Sequence, residues 1–260
     1  MDIISSLQNP KIKQAIKLRE AKERKKLGLV IIEGWKELSL ALAAGVEIEH
    51  VFYCPELDAG KKAVAEAPAE KNIIVSKKVF QKISYREHPD GVLAAGKIKL
   101  VGLAEIKLKK NPLIIVLEAV EKPGNLGAIL RSADAAGADA VIICDKKTDI
   151  FSPNVIRASL GTVFTNKVII ADSDEAIGWL KENGIKIFAT APAAEKIYTD
   201  ADFRAGAAIV MGAEDKGLSE KWFRATDEKI KIPMAGKIDS LNVSVSLAII
   251  LFEALRQRNN

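Results

Sequence analysis

The chain has 260 residues, 48% apolar and 28% charged, with 39 Lys and Arg against 34 Asp and Glu. This is a globular mixture that excludes a disordered chain, and at ~150 residues per domain it suggests one large domain or two unequal ones. The longest apolar run, residues 247–252, falls far short of the ~20 residues of a membrane helix, and Met1-Asp2-Ile3-Ile4 shows no secretory leader. Cys54 and Cys144 lie 90 positions apart, which supports neither a disulfide framework nor a zinc spacing. With only His50 and His88 available, histidine-based metal sites and hydrolase triads lose support. A reducing, cytoplasmic setting with no metal and no membrane is the expectation.

Residues 1–26 carry eight basic and three acidic side chains, a surplus of five that equals the charge of the whole chain. Ile12, Ala15, Ile16 and Leu18 give residues 1–27 a helical stripe, with Asn9-Pro10 as its start. Such a segment reads either as a solvated helix face or as an arm that meets phosphate, with Lys22, Arg24, Lys25 and Lys26 as contacts. Residues 28–100 form a small α/β unit. Strands are predicted at 29–32, 50–53, 72–75 and 91–95, and helices at 34–44 and 77–83. The Lys-rich stretch 101–111, closing at Asn111-Pro112, reads as a linker.

From 112 to 260 the pattern alternates strand, glycine-bearing turn and helix. Strands are predicted at 113–117, 140–144, 167–170, 186–189, 207–211 and 229–232, with helices at 126–136, 173–183 and 244–258. Continuous apolar strands between helices predict a parallel sheet covered on both faces, with ligands beyond the strands' C-terminal ends. Three segments follow such ends. The first is Pro123-Gly124-Asn125-Leu126-Gly127 with Arg131, in which Pro-Gly marks a turn and Asn125 is placed to cap the next helix. The second is Gly212-Ala213-Glu214-Asp215-Lys216-Gly217-Leu218, whose glycines permit close backbone approach. The third is Ile232-Pro233-Met234, then Ser240-Leu241-Asn242-Val243-Ser244 at the entrance to a helix apolar on nearly all sides. Such a helix is buried in a core or in a subunit interface. Each segment alone could be an ordinary turn, an exposed arginine or a cap. None is a dinucleotide or Walker loop, which removes the case for a nicotinamide-dependent oxidoreductase.

In this order and spacing, residues 113–258 resemble the SpoU (TrmH-type) branch of the SPOUT RNA methyltransferases. Ser152-Pro153 with Arg157-Ala158-Ser159 and Gly161 also matches that family's pattern. Residues 28–96 resemble the L30e-like RNA-binding module found before the catalytic domain of many members. The resemblance implies an α/β domain with a deep trefoil knot, an exception to ordinary chain connectivity. It implies an S-adenosyl-L-methionine pocket in that knot and a homodimer across it, which the apolar C-terminal helix suits. By transfer, Thr190, Gly212, Glu214, Gly217, Ile232, Met234 and Leu241 hold or shape the cofactor site, while Asn125, Arg131, Ser240 and Asn242 line the reaction site. Arg157 joins the lysines as an RNA contact. Asp215 stands where many members carry Gly, a mild departure for a turn.

The implied reaction is methylation of a ribose 2′-hydroxyl, a poor nucleophile near neutral pH. Arg131 would lower the hydroxyl's pKa electrostatically, because a guanidinium is permanently protonated and has no acceptor site with which to take a proton itself. The L30e-like module favours large-subunit (23S) ribosomal RNA as substrate. The alternatives are a tRNA 2′-O-ribose methyltransferase and a non-catalytic RNA-binding or ribosome-assembly protein, which cofactor binding separates from the enzyme readings.

Overall fold

The computed structural model describes residues 3–57 and 69–259. The chain forms two compact units, one of residues up to Lys99 with Asp149–Thr165, the other of Leu100–Thr148 with Asn166–Asn260.

In the first unit, α1 (Pro10–Lys17) starts where the sequence predicts, with the Asn9 side chain accepting from Lys11 N at 3.0 Å and Pro10 preset for the first turn. A second helix, α2 (Ala21–Leu27), ends at Gly28 with φ 66°. Then follow β1 (Leu29–Glu33), α3 (Trp35–Ala43), β2 (Ile48–Tyr53), β3 (Asn72–Ile74), α4 (Lys77–Ile83) and β4 (Val92–Lys97). The sheet order is β1-β4-β2-β3, antiparallel except for the parallel β2/β3 pair. Ile12, Ala15 and Leu18 are buried against Phe52, Phe80 and Leu93. The apolar stripe of the basic segment is therefore packed into this core, while its lysines stay on the exposed face.

One expected RNA contact is withdrawn. Arg24 is 4% exposed, pairs with Asp149, and donates to the carbonyls of Leu18 at 2.8 Å and Arg19 at 2.6 Å. Every direction of its guanidinium is spent inside the protein. Lys22, Lys25 and Lys26 remain exposed.

The second unit contains β5 (Leu113–Glu118), α5 (Pro123–Ala136) and β6 (Ala140–Cys144). The chain then contributes α6 (Pro153–Ala158) and α7 (Thr162–Thr165) to the first unit. It returns with β7 (Val168–Ala171), α8 (Ser173–Glu182), β8 (Lys186–Thr190), β9 (Lys196–Ile197), β10 (Ala207–Met211), α9 (Glu220–Ala225), β11 (Glu228–Lys231) and α10 (Val243–Asn259). The seven strands are parallel in the order β7-β6-β5-β10-β8-β11-β9. β5, β6 and β10 are buried throughout, as a sheet covered on both faces requires. β10 follows β8 in the chain yet inserts between β8 and β5, and α10 packs back on α5. The turns after β5 and β10 thus meet at the switch point of the sheet.

α10 buries one face in the core of its own unit, which leaves the subunit-interface alternative for the other face. Val243, Leu247, Ile250, Leu251 and Ala254 are buried, whereas Val245 and Phe252 are 47% and 46% exposed.

Candidate active site

A cavity of about 580 Å³ opens beyond the C-terminal ends of β8, β10 and β11. Thr190 closes β8, Met211 and Gly212 close β10, and Ile230 to Ile232 close β11. The turn 212–217, the loop 239–243 and the start of α10 complete the wall. All seven sequence-expected cofactor residues, Thr190, Gly212, Glu214, Gly217, Ile232, Met234 and Leu241, line it, as do Ser240 and Asn242.

Close approach shapes the turn. A Cβ on Gly212 would lie 2.2 Å from the carbonyl carbon of Gly217 and 2.4 Å from Leu218 N, so only glycine fits. Ala213 and Gly217 exchange backbone hydrogen bonds of 3.1 and 2.9 Å across the hairpin, with Gly217 at φ 66°. The Thr190 hydroxyl donates to Val210 O at 2.9 Å, tying the ends of β8 and β10 together.

Three distant segments are joined by side-chain amides. The Asn125 amide donates to the Glu214 carboxylate, and Asn242 Nδ2 donates to Asn125 Oδ1 at 3.0 Å. Asn242 Oδ1 in turn accepts from Ser244 N at 2.9 Å and Ser244 Oγ at 2.6 Å, which caps the start of α10. The expected role of Asn125 as a cap is corrected here. α5 begins at Pro123 after Lys122, with no side chain on its first amides, and Asn125 lies inside the helix. Its amide is committed to Glu214 and Asn242 instead. Ser240 is exposed and donates to Asp239 at 3.1 Å.

Arg131 is exposed on α5, six residues beyond Asn125, and does not line the cavity. Arg157 is exposed on α6 of the first unit. The structure therefore gathers the expected cofactor residues with Asn125, Ser240 and Asn242, and leaves Arg131 at the surface.

Sequence reasoning missed two groups. Lys122, Asp215, Lys216, Lys231 and Asp239 give the cavity a lining of mixed charge. Glu118, buried at the end of β5, accepts from Ser219 N at 2.7 Å and so fixes the chain just after the 212–217 turn. A lone acid closing an apolar strand was the one signal available for it. The lining pairs apolar side chains (Ile230, Ile232, Met234, Leu241) with both signs of charge, which suits a ligand holding a flat heterocycle and a zwitterionic tail. Its volume lies within the ~300–1,000 Å³ of small-molecule sites.

Comparison with known proteins matches residues 112–252 to the SpoU rRNA Methylase family and residues 9–94 to the MRM3-like substrate binding domain. A crystal structure of an RNA 2′-O ribose methyltransferase is 41% identical over 100% of both chains, with a TM-score of 0.88. The AdoMet-bound rRNA methyltransferase from Sinorhizobium meliloti is 31% identical over 98% of this chain and 97% of its own, with a TM-score of 0.89. A 23S rRNA guanosine 2′-O-methyltransferase of Bacillus subtilis is 28% identical over 97% of this chain and 98% of its own.

Proposed function

Since this chain belongs to the SpoU rRNA methylase family, we propose that it transfers a methyl group from S-adenosyl-L-methionine to a ribose 2′-hydroxyl of large-subunit (23S) ribosomal RNA. Its fold is the α/β fold of the SPOUT methyltransferases, preceded by a smaller substrate-binding domain. We infer the deep trefoil knot and the RNA-binding role of the smaller domain from the family resemblance. The observation that carries the reading is the amide chain Glu214–Asn125–Asn242, which draws the three sequence motifs onto one cavity. The likeness to a 23S rRNA enzyme extends through the N-terminal unit, which favours ribosomal RNA over tRNA.

The cavity suits the cofactor on its own terms. Gly212, Ile232, Met234 and Leu241 all line the cavity; the bare Cα of Gly212 lets the 212–217 turn close on itself, and Pro233 ends the strand so that the chain can turn along the wall. Thr190, Glu214 and Gly217 shape the same wall. When bound, S-adenosyl-L-methionine supplies a methyl group already activated on sulfonium. The protein's task is then to orient the ribose oxygen and ease loss of its proton. Ser240 and Asn242 stand at the mouth to orient the nucleotide, with Asn125 holding Asn242 in place. Arg131 meets the nucleotide from α5, where its permanent charge stabilises the alkoxide as it develops. Lys22, Lys25, Lys26 and Arg157 supply exposed positive charge for the RNA backbone. The apolar strip left open on α10 around Val245 and Phe252 is the surface of a homodimer. The two buried free cysteines accord with a cytoplasmic setting.

The test is methyl transfer from radiolabelled S-adenosyl-L-methionine to large ribosomal, small ribosomal and transfer RNA from a strain lacking this gene. Label in a 2′-O-methylnucleoside of the large ribosomal fraction is expected. Label in tRNA alone would overturn the substrate, and loss of cofactor binding would overturn the enzyme. Arg131→Ala should abolish transfer while leaving cofactor affinity in place, and wild-type transfer by that variant would remove the role given to Arg131.

A further inference from the structure

The loop between α4 and β4 is held from four directions. The buried carboxylate of Glu33 accepts from Ser84 Oγ, from Tyr85 N at 2.7 Å and from Arg86 N at 3.2 Å. The Arg19 guanidinium donates to the carbonyls of Lys82 and Ser84. Arg86 pairs with Glu37, which is only 3% exposed, and Asp90 Oδ2 accepts from Trp35 N at 2.9 Å. Burying carboxylates costs free energy unless hydrogen bonds and counter-charges compensate, so a surface loop fixed this way is unusual.

What this rigid loop displays is Tyr85, 43% exposed, with a phenol that makes no hydrogen bond among the described residues. Beside it, across a small recess shared with Ile31, Pro153 and Ile156, stands Arg157. Arg157 is exposed and forms no ion pair among the described residues. The recess itself, about 10 Å³, is too small for a base, which leaves the outer face of the tyrosine ring as the docking surface. A single exposed aromatic is ordinary on a protein surface. An aromatic on an immobilised loop next to an unpaired guanidinium is different, since the loop's ordering cost is reduced in advance and the guanidinium has no ion pair to give up when it meets a phosphate.

We propose that Tyr85 and Arg157 form a docking platform for an unpaired RNA nucleotide, the base stacking on Tyr85 and the phosphate meeting Arg157. Bases splayed from single-stranded loops are commonly read by such aromatic and arginine surfaces. The platform rests on the RNA-methyltransferase reading and specifies where the first unit grips its substrate.

The experiment measures binding of the full-length protein to single-stranded fragments of large-subunit ribosomal RNA, by fluorescence anisotropy over a salt series. Tyr85→Ala should weaken binding about tenfold, within the range of one lost base stack, and leave the slope of affinity against salt unchanged. Tyr85→Phe keeps the ring and should bind within about twofold of wild type. Arg157→Gln should weaken binding and lower that slope by about one ion. Cofactor affinity, measured by calorimetry, should be the same in all variants. Wild-type binding by Tyr85→Ala, or equal weakening by Tyr85→Phe, would overturn the platform. The binding comparison stands apart from methyl transfer, so a protein that binds through Tyr85 yet methylates no RNA would sink the enzymatic reading and keep the platform.

Discussion

Replacing Gly212 by alanine tests whether the 212–217 turn is built around close backbone contact. The new Cβ would meet Gly217 C at 2.2 Å, its carbonyl O at 2.4 Å and Leu218 N at 2.4 Å, against an ordinary contact of 3.4 Å or more. All three are backbone atoms, so no side chain can swing aside. The strands of the hairpin must separate by roughly 1.2 Å, which breaks the Ala213–Gly217 pair of hydrogen bonds. Overpacking of this kind costs ~1–3 kcal/mol and each of the two lost backbone bonds ~1 kcal/mol, so a loss of about 3–5 kcal/mol is expected. At ~2–4 °C per kcal/mol for a chain of this size, the melting temperature should fall by about 6–20 °C.

Gly217→Ala is the control in the same turn. Its φ of 66° makes alanine strained by ~1–2 kcal/mol, but nothing lies within 4 Å of the added carbon. Calorimetric titration with S-adenosyl-L-methionine should therefore show at least a tenfold loss for Gly212→Ala and a smaller one for Gly217→Ala. A Gly212→Ala protein that melts within 2 °C of wild type and binds the cofactor normally would refute the reasoning.

Arg24→Ala should destabilise by about 2–4 kcal/mol, less than a fully buried pair because Asp149 is 30% exposed, and leave the salt dependence of RNA binding intact. Neutralising Lys22, Lys25 and Lys26 should do the reverse, flattening that dependence with little change in the urea midpoint; the two variants compared in one RNA-binding and urea series decide it. Phe252→Asp should convert a dimer to a monomer in sedimentation experiments, and an unchanged mass would return the α10 strip to ordinary surface. Burial, with Asp145 and Glu118 adding to it, pushes the Cys144 thiol from its ordinary value near 9 up to about 12. The unfolded chain loses that proton first, so the thiol's contribution to stability is complete below pH 9 and is lost as pH rises from 9 to about 12. Urea midpoints of wild type should fall more steeply over that window than those of Cys144→Ala, and parallel slopes would show that another group governs it.

Much of this architecture was legible because it follows from local pattern. β5, β6 and β10 each carry a continuous apolar run of five residues, and their burial in a parallel sheet follows directly. The helix α1 was marked by Asn9-Pro10, and its stripe by Ile12 and Ala15. What pattern could not carry was pairing over long separations. Arg24 reads as one more cation in a basic run, and nothing near it indicates Asp149, 125 residues later. Glu33 and Glu37 read as surface acids until the loop 84–86 closes over them. The packing of α6 and α7 on β1 and α3 was invisible for the same reason, since these partners are more than a hundred residues away.

Asn125 shows how such a failure can itself be informative. By local chemistry it is a good cap, placed after Pro-Gly and before an apolar helical stripe. In the structure the helix takes Pro123 as its first residue and leaves its first amides without a side-chain partner. Leaving a cap unmade forgoes about 1 kcal/mol of helix stability. The amide that could have made it instead bonds Glu214 and Asn242, across 89 and 117 residues of chain. Asn242 does act as a cap, for α10, while its other end reaches Asn125. One helix start is thus stabilised, the other is left bare, and the difference goes into holding two loops at the cavity. Departures from local preference are expected where geometry serves a site more than the helix that bears it. The bare start of α5 and the amide chain beside it therefore locate the site independently of the motifs, from the physics of a cap that was not made.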